Sequence, residues 1–395
     1  MTAGPQASKS AGNPAGKPVP LLDVNRGNAP LRDEMLAAVA AVLDSGRFLH
    51  GPEVHQLEQS LATLCQVDHA IGCASGSDAL LLALMALDIG PGDEVIVPSF
   101  TFFATASAVS RVGAKVVFAD IDPATYNIDP LAIEDAITSA TKAIIPVHLF
   151  GQCADMDAIM KIARRRKLAV IEDACQAIGA AWRGKPAGAW GDVGCFSFYP
   201  TKNLGGCGDG GLMTARDPAL ADRLRLFAAH GMQPRYYHQV IGINSRLDTI
   251  QAAMLNVKLQ HLPAATQARI DNAARYRSLF AATHLGDRVI LPFESPQATH
   301  VWNQFPLRVV GSRRDAMRSY LAERGIGSEI YYPVPLHQQA CFAHLGYKTG
   351  SLPHTERAAE EMLNLPIYPE LAVDEQETVV RAISRFYAEQ RSAAA

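Results

Sequence analysis

"SFYPTKNLGGCGDGG", residues 197–211, sets one lysine, Lys202, between an apolar run and five glycines. Gly206, Gly208 and Gly211 spell GxGxxG, the dinucleotide-binding pattern. That pattern has to follow a strand and open a helix. Here the glycines lead into "GLMTA", a strand-like run, so a nicotinamide-binding fold is excluded. No GxxxxGK[ST] occurs, so a P-loop fold is excluded too. The glycines are expected to shape an irregular loop that needs positive φ. Lys202 is then a surface charge, a phosphate clamp or a covalent catalyst, and the surrounding chain has to decide.

Outward from this segment, short runs rich in Val, Ile and Phe recur: "DEVIVPSF" (93–100), "AKVVFADID" (114–122), "TKAIIPVHLF" (141–150), "KLAVIEDA" (167–174) and "GCFSFY" (194–199). Their apolar character is continuous rather than alternating, as in strands buried on both faces of a mainly parallel sheet. Helical segments lie between several of them, such as "ATASAVSRVG" (104–113), "LAIEDAITSA" (131–140) and "DMDAIMKIARRRK" (155–167). That alternation predicts a doubly wound α/β layer. Residues 245–283 read as a long helical stretch. Beyond about 285 come a strand ("HVWNQFPLRVV", 300–310), a helix ("RRDAMRSYLAERGI", 313–326) and an extended piece ("IYYPVPLHQQ", 330–339), the pattern of a smaller α+β domain. The expected organisation is a disordered tail over 1–19, a large α/β domain over 20–250, a helical connection over 251–285 and a small α+β domain over 286–395.

The 395 residues are 48% apolar with a net charge of −3, so a large core is available and no basic excess points to nucleic acid or a membrane surface. No run approaches the 18 or so apolar residues of a membrane helix. The N-terminal stretch lacks the apolar core of a signal peptide, which predicts a cytoplasmic protein. Seven scattered cysteines include no CxxC pair, so no disulfide framework or metal site is expected.

Four local features carry chemistry. "ASGSDALLLALMAL" (74–87) starts a helix with Ser75, Gly76, Ser77 and Asp78; free N–H groups and the positive dipole end there suit a phosphate, and plain N-capping explains the same residues. Asp173 ends the strand "LAVIED", where α/β folds place ligands, with Gln176 three residues on; helix capping is the equal alternative. Phe102 and Phe103 follow another strand, and core packing is their usual fate. Lys202 is the fourth. Together an anion cradle, a carboxylate, a flat aromatic and one amine suit pyridoxal 5′-phosphate. Its phosphate needs donors, its pyridine nitrogen an acid, its ring a cover and its aldehyde a lysine.

With these motifs in order, the chain resembles the DegT/DnrJ/EryC1/StrS sugar aminotransferases, fold-type-I pyridoxal phosphate enzymes. The resemblance spans about residues 20–385 and rests on "GSDALLLAL", "GDEVIVPSFTFFATASAV", "IIPVHLFGQCADM", "VIEDACQAIGA", "FSFYPTKNLGGCGDGG", "GINSRLDTIQAAML" and "LPIYPEL". It implies a seven-stranded, mainly parallel sheet. Lys202 matches the Schiff-base lysine, Asp173 the acid facing the pyridinium, and Gln176 the contact to the phenolic oxygen. Ser197, Ser77 and the backbone at Gly76 match phosphate ligands, Phe102 the stacking aromatic, and Asn244 a phosphate ligand donated by a second subunit. A homodimer with shared sites follows from the last.

The resemblance also implies L-glutamate as amino donor and a nucleotide-linked keto-sugar as acceptor. "KNLGGCGDGG" is similar to the branch acting on 3-keto sugars, whereas 4-keto enzymes often carry T-x-GEGG; a 3-keto hexose is therefore expected. His337, Tyr331, Tyr332 and Arg246 are candidate substrate contacts, each with a structural alternative. Phe150 stands where many relatives have Tyr. A regulatory homologue without activity, a sugar dehydratase and an amino-acid-only enzyme are the rivals. An intact Lys202 and Asp173 oppose the first, Lys202 in place of histidine the second, and the sugar-family motifs the third.

Overall fold

The computed structural model describes residues 17–283 and 285–394, with side chains to residue 389. The expected tail lies outside this range up to residue 16.

Continuous apolar runs become strands buried on both faces. The large sheet contains β1 (His69–Cys73), β2 (Glu94–Pro98), β3 (Lys115–Ala119), β4 (Thr141–Ile144), β5 (Ala169–Asp173), β6 (Val193–Ser197) and β7 (Gly211–Ala215). Their spatial order is β1-β7-β6-β5-β4-β2-β3. β7 alone runs against its neighbours. Its first residue, Gly211, therefore pairs with Ser197 and Cys73, the last residues of β6 and β1. One edge of the sheet thus collects the carboxyl ends of six strands and the beginning of β7, and both halves of the opening motif arrive there.

Helices cover the sheet. α1 (Gly76–Ala86) is apolar almost all round, and Leu80, Leu81, Leu82 and Leu84 are buried, each worth about 1.5–3 kcal/mol. α2 (Phe103–Arg111) follows β2. The long helix α3 (Thr249–Ala281) runs from the large domain to a second core around Tyr276, Trp302, Phe305, Leu307 and Ile383. That core holds an antiparallel sheet of Val289–Ile290, Phe305–Val309 and Met362–Leu365. The run 300–310 is only half strand: Trp302 takes φ +48°, and pairing in this sheet begins at Phe305.

The N-terminal boundary needs correction. Val19 is buried in the second core, exchanging backbone hydrogen bonds with Gly325 and Gly327. Arg26 makes a bidentate pair with Glu375 at 2.8 Å. Residues 19–26 therefore pack on the C-terminal domain, although their local sequence carries no sign of that long-range pairing.

Candidate active site

The carboxyl edge of the sheet brings Gly76, Asp173, Ser197 and Lys202 together. α1 begins there with Ser75 as N-cap, its Oγ accepting from the Asp78 N–H at 3.1 Å. Capping thus falls to Ser75. The N–H groups of Gly76 and Ser77 and the Ser77 hydroxyl have no protein partner among the described residues. A Cβ on Gly76 would stand 2.7 Å from Ser197 Cβ and from Cys175 Sγ. Ser197 Oγ accepts from the Tyr199 N–H at 3.2 Å, which leaves its own proton to donate. These donors form a cradle for a phosphate at a helix start. Gly76→Ala is expected to weaken cofactor binding by about 1–3 kcal/mol through overpacking, measured by titrating apo-protein; unchanged affinity would exclude this cradle.

The glycines of the opening motif act by closeness, which corrects the expected positive φ: none of Gly205, Gly206, Gly208, Gly210 and Gly211 adopts it. A Cβ on Gly211 would meet the Ser75 backbone at 2.4 Å, and one on Gly206 or Gly208 would strike the Gln251 amide. Gln251 Oε1 accepts from the Cys207 N–H at 2.9 Å, and Lys258 donates to the Gly205 carbonyl at 2.5 Å. Helix α3 thus holds the loop while β7 slides under the phosphate cradle.

Asp173 is 5% exposed. It accepts from Thr105 Oγ at 2.7 Å and from the Cys175 N–H at 3.3 Å. A buried carboxylate with neutral donors lacks the cation that would compensate its desolvation. A protonated pyridine nitrogen supplies one. Lys202 has no hydrogen bond at Nζ among the described residues, and desolvation holds its amine below the usual lysine range, opposed by Cys175 and Asp173. Burial, then Asp173, keeps the Cys175 thiol neutral by pushing it well up. Desolvation thus favours the unprotonated amine, the form that attacks an aldehyde.

Gln176 has a fixed orientation. Its Oε1 accepts from the Phe150 N–H at 2.6 Å, so its Nε2 points the other way, donating to Tyr332 Oη at 3.0 Å. The second Nε2 proton remains for a phenolate oxygen. Phe102 is 61% exposed at the N-cap of α2, an open aromatic that suits a flat ring. The donors, the acid, the amine and the aromatic platform all fit pyridoxal phosphate.

The remaining candidates divide. Tyr332 packs edge-on against Phe100 (5.2 Å) and stacks on Phe150 (6.3 Å), and burial pushes its hydroxyl well up. Tyr331 is 38% exposed. Asn244 is exposed on a loop that also exposes Tyr236, Tyr237 and Ile241. Arg246 forms no ion pair among the described residues, and its buried Nε has no partner, which disfavours the structural alternative. His337 differs: it is buried, Nδ1 meets Ser99 Oγ at 2.7 Å and Nε2 meets Glu356 at 3.2 Å. Those contacts make it an anchor between the segment 331–339 and the end of β2.

Two buried groups carried no local sequence signal. Thr105 is one, since a threonine in an Ala-rich helix is unremarkable until β5 is placed beside it. Glu172 is the other. It takes His148 Nε2–H at 2.9 Å and the N–H groups of Gly188, Trp190 and Gly191. Burial opposes its ionisation, yet His148 and these donors hold its carboxyl below the usual range.

The model of the DegT/DnrJ/EryC1/StrS aminotransferase family matches residues 30–384. A "Pleiotropic regulatory protein" of Geobacillus stearothermophilus is 49% identical over 93% of this chain and 98% of its own length. A UDP-N-acetyl-3-dehydro-alpha-D-glucosamine 3-aminotransferase of Acidithiobacillus ferrooxidans is 46% identical over 93% and 97%. Among solved structures, DesV of S. venezuelae superposes with a TM-score of 0.90 at 45% identity, covering 94% of this chain and 99% of that one. NtdA of Bacillus subtilis with bound cofactor PMP gives 0.87 at 36% identity, covering 94% and 85%.

Proposed function

Because this chain belongs to the DegT/DnrJ/EryC1/StrS aminotransferase family and is a pyridoxal phosphate enzyme, we propose that it moves the amino group of L-glutamate to a nucleotide-linked 3-keto hexose. The observation that carries the activity is the convergence of a desolvated Lys202, a buried Asp173 and the unclaimed donors of Gly76 and Ser77 on one sheet edge. The 3-keto preference rests on the "GDGG" spelling and on a relative named for 3-amination.

Bound pyridoxal phosphate supplies an aldehyde that accepts the amine and a ring that takes up electrons. The protein supplies the rest. Gly76, Ser77 and Ser197 hold the phosphate, joined by Asn244 of a second copy. Asp173 keeps the ring nitrogen protonated, Gln176 Nε2 holds the phenolic oxygen, and Phe102 covers one face. Lys202 Nζ, whose unprotonated form desolvation favours, takes the proton from the amino-bearing carbon of the donor and returns one in the second half-reaction. Arg246 receives a substrate carboxylate or closes the shared interface, and Tyr331 and Tyr332 line the sugar side. The exposed apolar side chains Leu36, Leu43, Phe48, Leu49 and Ile241 support a homodimer. Among the described residues no helix is long and apolar enough to cross a membrane, and we place the enzyme in the cytoplasm.

Glutamate-dependent amination of 3-keto and 4-keto nucleotide sugars, with products located by NMR, tests this reading. Amination at C3 is expected; exclusive amination at C4 would overturn the regiochemistry. The relative named as a regulator raises the alternative of a protein without turnover, and absence of amino transfer from glutamate would favour it.

The depressed Lys202 amine also sets a pH profile. It is protonated and unreactive below its folded pKa, so cofactor capture rises with pH through a midpoint below the ordinary lysine value of about 10.4. Between those two values the unfolded chain binds more protons than the fold, so this lysine makes apo-protein stability rise with pH there. Stopped-flow capture across pH measures the midpoint; a midpoint at or above the ordinary value contradicts the desolvated amine.

A further inference from the structure

The residue after the catalytic lysine is tied to the other side of the site. Asn203 Nδ2 donates to the Val301 carbonyl at 2.8 Å, and Asn203 Oδ1 accepts from Asn303 Nδ2 at 2.9 Å. A carbonyl only accepts, so Val301 fixes which end of the Asn203 amide faces it, and that in turn fixes the Asn303 amide. The same segment reaches the corner that orients Gln176. The Val301 N–H donates to the Gly151 carbonyl and the Asn303 N–H to the Phe150 carbonyl, both at 2.9 Å. The Phe150 N–H then holds Gln176 Oε1.

Backbone strain gathers at this crossing. Phe150 (φ +59°), Gly151 (φ +102°) and Trp302 (φ +48°) are all left-handed. Bulky aromatics rarely adopt that conformation, and it persists only where surrounding contacts over-determine it. The contacts are close: a Cβ on Gly151 would stand 3.0 Å from the N atoms of Trp302 and Asn303. Behind the segment, buried Arg269 donates to the Trp302 and Ile367 carbonyls at 3.0 and 2.9 Å.

We infer that Asn203 and Asn303 are a positioning pair that holds the Lys202 amine in register with the Gln176 amide through the segment 301–303. This inference rests on the pyridoxal phosphate reading above. The aldehyde carbon and the phenolic oxygen are neighbours on the cofactor ring, so the lysine and the glutamine must be placed relative to each other. Asn203 touches neither substrate nor cofactor in this role. It acts through the lysine loop at one end and the Phe150 corner at the other.

The test uses full-length enzyme reconstituted with pyridoxal phosphate, comparing wild type, Asn203→Ala, Asn303→Ala and the double variant. A small misplacement of reacting groups costs up to about 100-fold in rate. Asn203→Ala is expected to lower kcat of the glutamate half-reaction about 10- to 100-fold with KM for glutamate nearly unchanged. It should also shift the pH dependence of the bound-cofactor absorbance. Effects of the two single changes should be non-additive, because both interrupt one connection. Gly151→Ala, which strains the far end, should shift the same absorbance profile. Variants that lose thermal stability while keeping the wild-type absorbance profile and kcat would overturn the pair's positioning role. Additive effects would overturn the shared connection. Wild type that binds no cofactor or ignores glutamate would instead refute the underlying enzyme reading, so the two failures are distinguishable.

Discussion

Lys202→Ala lowers glutamate-dependent amination by about 10⁴-fold or more. Two contributions vanish together. The covalent attachment point is lost, and so is the base that moves the proton, which alone is worth about 10²–10⁴-fold. No neighbour substitutes for it. The Cys175 thiol is held neutral by burial, and Lys258 is engaged with the Gly205 carbonyl. The fold should tolerate the change, because Lys202 Nζ has no hydrogen bond among the described residues and its desolvation opposes folding. Steady-state amination, borohydride fixation of the cofactor and thermal unfolding check this in parallel. A variant that retains a tenth of wild-type turnover would refute the assigned role.

Asp173→Asn is expected to cost about 10²–10³-fold in turnover, the range for removing one preorganised electrostatic partner of a reacting group. Its shape is nearly that of Asp173, so packing under β5 is kept. The charge that holds the ring nitrogen protonated is removed. One hydrogen bond to a charged partner contributes about 1.5–3 kcal/mol, so cofactor affinity should fall as well. Thr105 Oγ and the Cys175 N–H, which both point at this carboxylate, would face a neutral amide with only one accepting oxygen. Rate measurements at saturating cofactor separate the two effects. Unchanged turnover at saturation would show that Asp173 only binds the cofactor, and unchanged affinity as well would remove it from the site.

Lys202 and Asp173 could be picked out as candidates from local context, because a strand-end carboxylate and a lysine ahead of a glycine tail are short-range patterns, although their roles came only with the combined motifs and the family resemblance. Thr105, Asn203 and Asn303 could not. Their partners lie 68, 98 and 100 residues away, and a threonine or asparagine alone carries no sign of what it will meet. His337 shows the opposite case. Its place in "YYPVPLHQQ" suggested the substrate region, and only the packing of that segment on Ser99 and Glu356 gave it internal partners for both nitrogens.

Six of the seven strands and the apolar helix that starts at Gly76 follow from the sequence by itself, whereas β1 (His69–Cys73) carries no long apolar run and the count of seven came with the family resemblance. Runs of continuous apolar residues are short-range facts, and they fit strands buried on both faces of a mainly parallel sheet. Tertiary structure alone decided that β7 enters antiparallel, so that the glycines after Lys202 start at the carboxyl edge beside Ser75. Strand direction depends on which neighbours a strand finds, and no local pattern encodes that. The glycine tail is required because two backbones meet there at less than the width of a side chain, a constraint that exists only once the chain has closed on itself.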